Sequence, residues 1–132
     1  MTEADEDACA LIFARAWAHA FPQHPRDIDR ETFLHETDGE VVIVAEQDGV
    51  ALGFAAVYRP DDFLHHLYVD PTVHRLGVGR ALIEAARERT GGGLRLRCQA
   101  TNVNALGFYA HLGFREYERG RDEYGEWIGL RI

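Results

Sequence analysis

Positive charge is scarce in this sequence: 14 Lys and Arg residues stand against 22 Asp and Glu, a formal net charge of −8. A nucleic-acid surface needs basic residues clustered on one face, so that class is excluded, and the acidic balance suits solubility or a cationic small partner. Cysteine is also scarce. Cys9 falls in a helical pattern and Cys98 in a strand pattern, neither at a metal-ligand or redox spacing. The expectation is two small buried side chains in a reducing compartment, and no metal site. No apolar run approaches the ~20 residues that span a bilayer, so no membrane partner is expected. The start, MTEADEDACALIF, is acidic where a signal peptide would be basic, which makes a cytoplasmic location the expectation. No Pro-, Gly- or Ser-rich linker, internal repeat or low-complexity segment divides the chain. Its 132 residues, 46% hydrophobic, are expected to form one domain over 1–132.

Apolar residues from Glu6 to Phe21 recur at helical spacing, and Pro22 and Pro25 close that helix. Asp29 is placed to cap a second short helix through Thr37. VVIVAEQDGVALGFAAVY follows, two β-rich runs joined by Asp48-Gly49, a hairpin signal. Phe63 to Val69 is a third strand, and Val78 to Thr90 a helix stopped by Gly91-Gly92-Gly93. LRLRCQA alternates as a half-exposed strand does. Residues 102 to 112 read as a helix ended by Gly113, and the remainder as two aromatic-rich strands about a turn near Gly120 to Asp122. The order α-α-β-β-β-α-β-α-β-β predicts a mixed sheet with helices on its faces.

One connection asks for a reason. In HHLYVDPTVHRLGVGRALIEAARER the strand runs through Asp70-Pro71 into Gly77 and Gly79 and then directly into a helix. A helix N-terminus offers free N–H groups and partial positive charge, and glycines there let a phosphate come close. The dinucleotide fingerprint would need a third glycine where Leu82 stands, and the Walker pattern would need Gly-Lys-Ser/Thr; both fail. By itself GVG before a helix leaves a phosphate site and an ordinary tight turn both open.

A second stretch, NVNALGFYAHLGF at 102 to 114, lies one strand further on. Together with LYVDPTVHRLGVGRALI it resembles the GNAT superfamily of acyl-CoA-dependent N-acetyltransferases. That family's loop reads Gln/Arg-x-x-Gly-x-Gly/Ala, and its later helix commonly Asn-x-x-Ala-x-x-Phe-Tyr-x-x-x-Gly-Phe. Asn102, Ala105, Phe108, Tyr109, Gly113 and Phe114 match every named position, and the motifs stand in the family's order. The resemblance covers roughly residues 41 to 119. It departs from the pattern at His74, in the usual Gln/Arg place, with Arg75 beside it. The family usually opens with a strand before its first helix, so either that strand is absent or residues 1 to 4 provide a stub of it. The implied fold is a single-domain mixed α/β (α+β) arrangement, a mostly antiparallel sheet flanked by helices.

The resemblance implies acetyl-CoA as co-substrate, used by direct transfer to an amine in a ternary complex. The alternative is a non-catalytic acyl-CoA-binding or sensing module of the same fold. Backbone amides between His74 and Ala81, a stretch that includes Arg75, Leu76, Gly77, Val78, Gly79 and Arg80, would cradle the pyrophosphate. The pantetheine arm would pair with Leu67, Tyr68 and Val69 like an added strand. Asn102 would contact the arm or cap its own helix, the two roles being compatible. Tyr109 stands at the family's general-acid position. The base is sought at His65 or His66, where relatives often carry Glu, Asp or His. Adjacent strand residues face opposite ways, so one of them at most is expected to view the thioester, and the offset from Gly77 favours His65. His111 is expected at the surface. The acceptor pocket would be shaped by FPQHPRDIDR and RPDDF. Asp27, Asp29, Asp61 and Asp62 there are either attractors for a cationic amine or solvated loop carboxylates. Trp17 and Trp127 either line that pocket or belong to the core. A small-molecule or peptide amine is the expected partner, with a homodimer open.

Overall fold

The computed structural model describes residues 1–73 and 77–132. α1 (Glu3–Ala20) starts earlier than apolar periodicity predicts because of a capping box. The Thr2 side chain accepts from the Asp5 N–H, and the Asp5 carboxylate accepts from the Thr2 N–H, both at 3.1 Å. No strand precedes this helix among the described residues, and residues 1 and 2 make no stub of one. α2 (Arg30–Glu36) is capped by Asp29 as expected.

The sheet is built from β1 (Val41–Gln47), β2 (Val50–Tyr58), β3 (Phe63–Val69), β4 (Arg95–Gln99), β5 (Arg115–Asp122) and β6 (Gly125–Arg131). Its order is β1-β2-β3-β4-β6-β5, antiparallel throughout except where β3 meets β4. Asp48 and Gly49 both have positive φ, 53° and 79°, the geometry of a tight two-residue hairpin. The last hairpin turns at 123–124, not at 120–122. Asp122 accepts from the Tyr124 N–H at 2.8 Å and Gly125 takes φ 114°. Gly120 instead lies within β5 opposite Trp127, whose ring occupies the space a Cβ would fill.

Each face of the sheet carries its own core. On one, Cys9, Phe13 and Trp17 of α1 and Phe33 of α2 meet Phe54 of β2. On the other, Leu82, Ile83 and Ala86 of α3 (Val78–Arg89) and Tyr109 of α4 (Val103–His111) meet Ala55, Val57, Leu96 and Ile128. β2 sits between the two cores, so its run from Gly53 to Val57 is buried without alternation.

Candidate functional site

The parallel neighbours β3 and β4 are joined in register only at Phe63 and Arg95. Beyond that point they part, beginning where β3 carries one residue more than its partner: Ala56 pairs with His66, but Val57 pairs with Leu64. An extra residue bends a strand and re-aims its side chains. From His65 to Val69 the β4-facing edge of β3 therefore has no strand partner among the described residues. A cleft of about 1280 Å³ opens there, with Leu67, Tyr68 and Val69 on one wall and Leu96, Arg97 and Cys98 on the other.

The bulge overturns the expectation that His65 and His66 face opposite ways. Their ring centroids are 4.1 Å apart. His66 is buried against Phe13 and Tyr68, and its Nε2–H faces the Glu36 carbonyl at 3.4 Å. Burial, reinforced by the neighbouring His65, pushes its pKa down to about 4, so it is neutral at ordinary pH. His65 is half-exposed and its Nδ1 lies 2.6 Å from Glu40 Oε2. A carboxylate accepts there, so Nδ1 carries a proton, and in the neutral ring the lone pair is on Nε2. Burial raises the Glu40 pKa, and His65 opposes that rise.

Tyr109 lines the cleft from α4 and is buried. Burial first, then Cys98 and Tyr68, hold its phenol well above the ordinary value, so it keeps its proton at all working pH. Burial likewise raises Cys98 to about 11 and Cys9 to about 12. Neither thiol is ionised at neutral pH, so neither is an activated nucleophile.

At the cleft's far end Gly77 caps α3 with φ 78°, a left-handed conformation, and Ala81 N–H already bonds the Gly77 carbonyl at 3.0 Å. Ala81 therefore has no amide to offer, contrary to expectation. Those of Val78, Gly79 and Arg80 precede the first intrahelical bond, and these three residues line the cleft with Gly77. Gly79 has an internal reason as well: a Cβ there would come 3.1 Å from the Phe108 ring of α4. His74, Arg75 and Leu76 lie outside the described residues. Asn102 caps α4, its Oδ1 accepting from Ala105 N–H at 3.4 Å, and also lines the cleft.

At the other end Trp17, Phe21 and Tyr124 form an aromatic wall, with Trp17 and Tyr124 centroids 5.3 Å apart. Trp17 belongs to both core and cleft. Trp127 lies under the Arg97 guanidinium at 4.0 Å and does not line the cleft. Glu36, whose carboxylate pairs with Arg26, and Asp122, whose carboxylate accepts from Gln99 Nε2 and the Tyr124 N–H, also line the cleft. Asp29 is occupied as a helix cap, and His111 is exposed. The sequence reading missed Glu36, Glu40 and Tyr124. Glu40 is 25 residues from His65 and carries no local signal of its role.

A profile of the Acetyltransferase (GNAT) family matches residues 7–114. The chain belongs to this family. It is 30% identical to the mycothiol acetyltransferase of Acidothermus cellulolyticus across 93% of its own length, and spans about half, 47%, of that relative. It is 33% identical over 115 residues to the ribosomal protein bS18-alanine N-acetyltransferase of Escherichia coli, covering 81% of this chain and 74% of the relative. The crystal structure of the E. coli ribosomal-protein-S18-alanine N-acetyltransferase superposes with TM-score 0.76 at 26% identity, covering 100% of this chain and 89% of that one. The paia N-acetyltransferase of Thermoplasma acidophilum, solved with coenzyme A, shares the fold at TM-score 0.78 and 16% identity, covering 98% and 94%. In this GNAT chain no helix among the described residues is long and apolar enough to cross a membrane.

Proposed function

We propose that this chain transfers an acetyl group from acetyl-CoA directly to a primary amine, a small molecule or a peptide end. The observation that carries the reading is the unpartnered edge of β3 beside Tyr109, with the first amides of α3 at the end of the same cleft. An extended amide-bearing arm fits such an edge by strand addition. The amides of Val78, Gly79 and Arg80 favour a phosphate at the arm's end. The thioester supplies an acyl group already activated for transfer.

The protein's part is positioning and two proton movements. An amine must lose a proton to become nucleophilic. His65 takes that proton on Nε2, held in the needed tautomer by Glu40. His66 lies beneath it as support. Tyr109 gives its proton to the departing sulfur as the carbon–nitrogen bond forms and the carbon–sulfur bond breaks. Both buried thiols stay protonated, which favours direct transfer over an acyl-enzyme. Asp122 favours an acceptor carrying positive charge, seated against Trp17, Phe21 and Tyr124, whereas the Glu36 carboxylate is already paired with Arg26. Holding the two reactants side by side supplies the rest of the acceleration.

Calorimetry with acetyl-CoA tests the cofactor half. Among the described residues a Cβ at Gly77 would meet nothing within 4 Å, and its φ of 78° is one that Asn and Asp tolerate. Gly77→Asn should therefore retain binding, while Gly77→Asp, alike in shape but negative, should weaken it at least tenfold. Equal binding by the two variants would withdraw the phosphate assignment. Absence of binding by the wild type would withdraw the transferase reading. Release of CoA with an amine library then separates an enzyme from a sensing module.

A further inference from the structure

Glu40, His65 and His66 each offer one metal-ligating atom, and those atoms lie within 4.8 Å of one another. Two of the groups hold deeply buried atoms with no hydrogen-bond partner among the described residues. These are Glu40 Oε1, on a side chain 7% exposed, and His66 Nδ1, on a residue 6% exposed. Buried polar atoms without partners are costly, and native structures keep few of them. Both atoms are acceptors: with Nε2–H directed at the Glu36 carbonyl, the His66 lone pair is on Nδ1. A cation is the partner that satisfies both at once. A histidine whose other N–H points at a backbone carbonyl is also the arrangement that orients metal-bound imidazoles. His65, 47% exposed, completes the group on its cleft side.

We propose that Glu40, His65 and His66 form a site for a divalent transition metal of the zinc class, bound by two imidazoles and one carboxylate, with its remaining positions open to the cleft. That donor set suits zinc and its neighbours, whereas magnesium and calcium prefer all-oxygen ligands. Zinc bonds of about 2.0–2.2 Å bring ligand atoms to roughly 3.4 Å of each other. The His65 Nδ1–Glu40 Oε2 contact of 2.6 Å must therefore open as the metal enters, and the half-exposed His65 ring is the member with room to move. Metal bound here claims His65, so occupancy and proton transfer exclude one another and the metal acts as an inhibitor. That consequence rests on the transferase reading. The binding site itself does not.

The test uses the untagged full chain, stripped with a chelator and titrated with Co²⁺ and Zn²⁺ by visible absorption and calorimetry. One Co²⁺ per chain, displaced by Zn²⁺, is expected. Glu40→Gln and His66→Ala, each removing a ligand, should weaken binding by more than the roughly 10- to 100-fold that loss of a mere orienting partner costs, and His111→Ala, exposed at the end of α4, should leave it unchanged. Zinc-edge X-ray absorption on the wild type should count two imidazoles, a readout independent of how the variants fold. Fewer than two imidazoles, stoichiometric binding that survives both variants, or no binding at micromolar metal would overturn the site and leave water as the occupant of the buried gap. Metal binding without any acetyl-CoA turnover would sustain the site and sink the transferase reading. Turnover without metal binding would do the reverse.

Discussion

His65 and His66 are consecutive on β3, yet their rings lie 4.1 Å apart between centroids, on one side of the sheet. The register shift between β2 and β3 inserts a residue and cancels the alternation a regular strand would impose. Buried His66 thereby underlies half-exposed His65, which Glu40 holds by Nδ1. His65→Gln is expected to lower kcat by about 10²- to 10⁴-fold, the range for loss of a positioned base, with acetyl-CoA affinity unchanged. Steady-state CoA release alongside calorimetry measures both quantities. A variant retaining wild-type kcat would remove His65 from the mechanism.

Tyr109→Phe removes one oxygen from a buried ring and keeps its contacts with Phe108 and Phe114. Turnover should fall by about 10²-fold or more, with the urea midpoint close to that of the wild type. Full activity with good and poor acceptors alike would show that the departing sulfur needs no proton from this phenol.

Gly120 faces Trp127 across the β5–β6 ladder, and a Cβ added there would sit 2.1 Å from Trp127 Cζ2. The ring would have to leave its place against Arg97. Gly120→Ala is expected to destabilise the fold by about 1–3 kcal/mol, the usual cost of overpacking. Urea unfolding checks it, and Gly120→Ala in a Trp127→Leu background should cost less.

Asp70 gives the fold a dependence on acid. Its carboxylate accepts from the Thr72 backbone N–H at 3.0 Å and from the Thr72 hydroxyl at 2.9 Å, and it pairs with Arg15 of α1 at 3.2 Å. The Thr72 N–H is the chief cause holding its pKa below the ordinary 3.8. A depressed folded-state pKa contributes stability that is present above the unfolded value and lost as pH falls through the folded one. The stability gap between wild type and Asp70→Asn should therefore be constant near neutrality and narrow below about pH 4. Urea midpoints from pH 3 to pH 7 measure it, and a gap constant across that range would assign Asp70 no titrating role.

Much of the scaffold was legible because its signals are local. Apolar spacing marks α3 and the flanking glycines its ends, Asp48-Gly49 marks the first hairpin, and Asp29 and Asn102 announce the helices they cap. The misplaced final turn has a reason of the opposite kind. Gly120 resembles a turn glycine in sequence, but it is small because a tryptophan seven residues away in the chain lies across it. Gly79 has such a reason too, set by Phe108 of a later helix, whereas Gly77 is what it resembles, a left-handed cap.

By itself the sequence determined the element order, the two motifs that mark the GNAT family, and the residue types able to move protons, because periodicity, capping and turn chemistry act over a few residues. Only the tertiary structure decided which of those residues meet. A register shift between β2 and β3 set both histidines on one side of the sheet. The end of α2 and the start of β1 brought Glu40 to them, and the parting of β3 from β4 opened the cleft beside Tyr109. These are relations between strands whose partners lie far apart in the chain, and strand register is fixed by what the two faces bury, which no short stretch of sequence records.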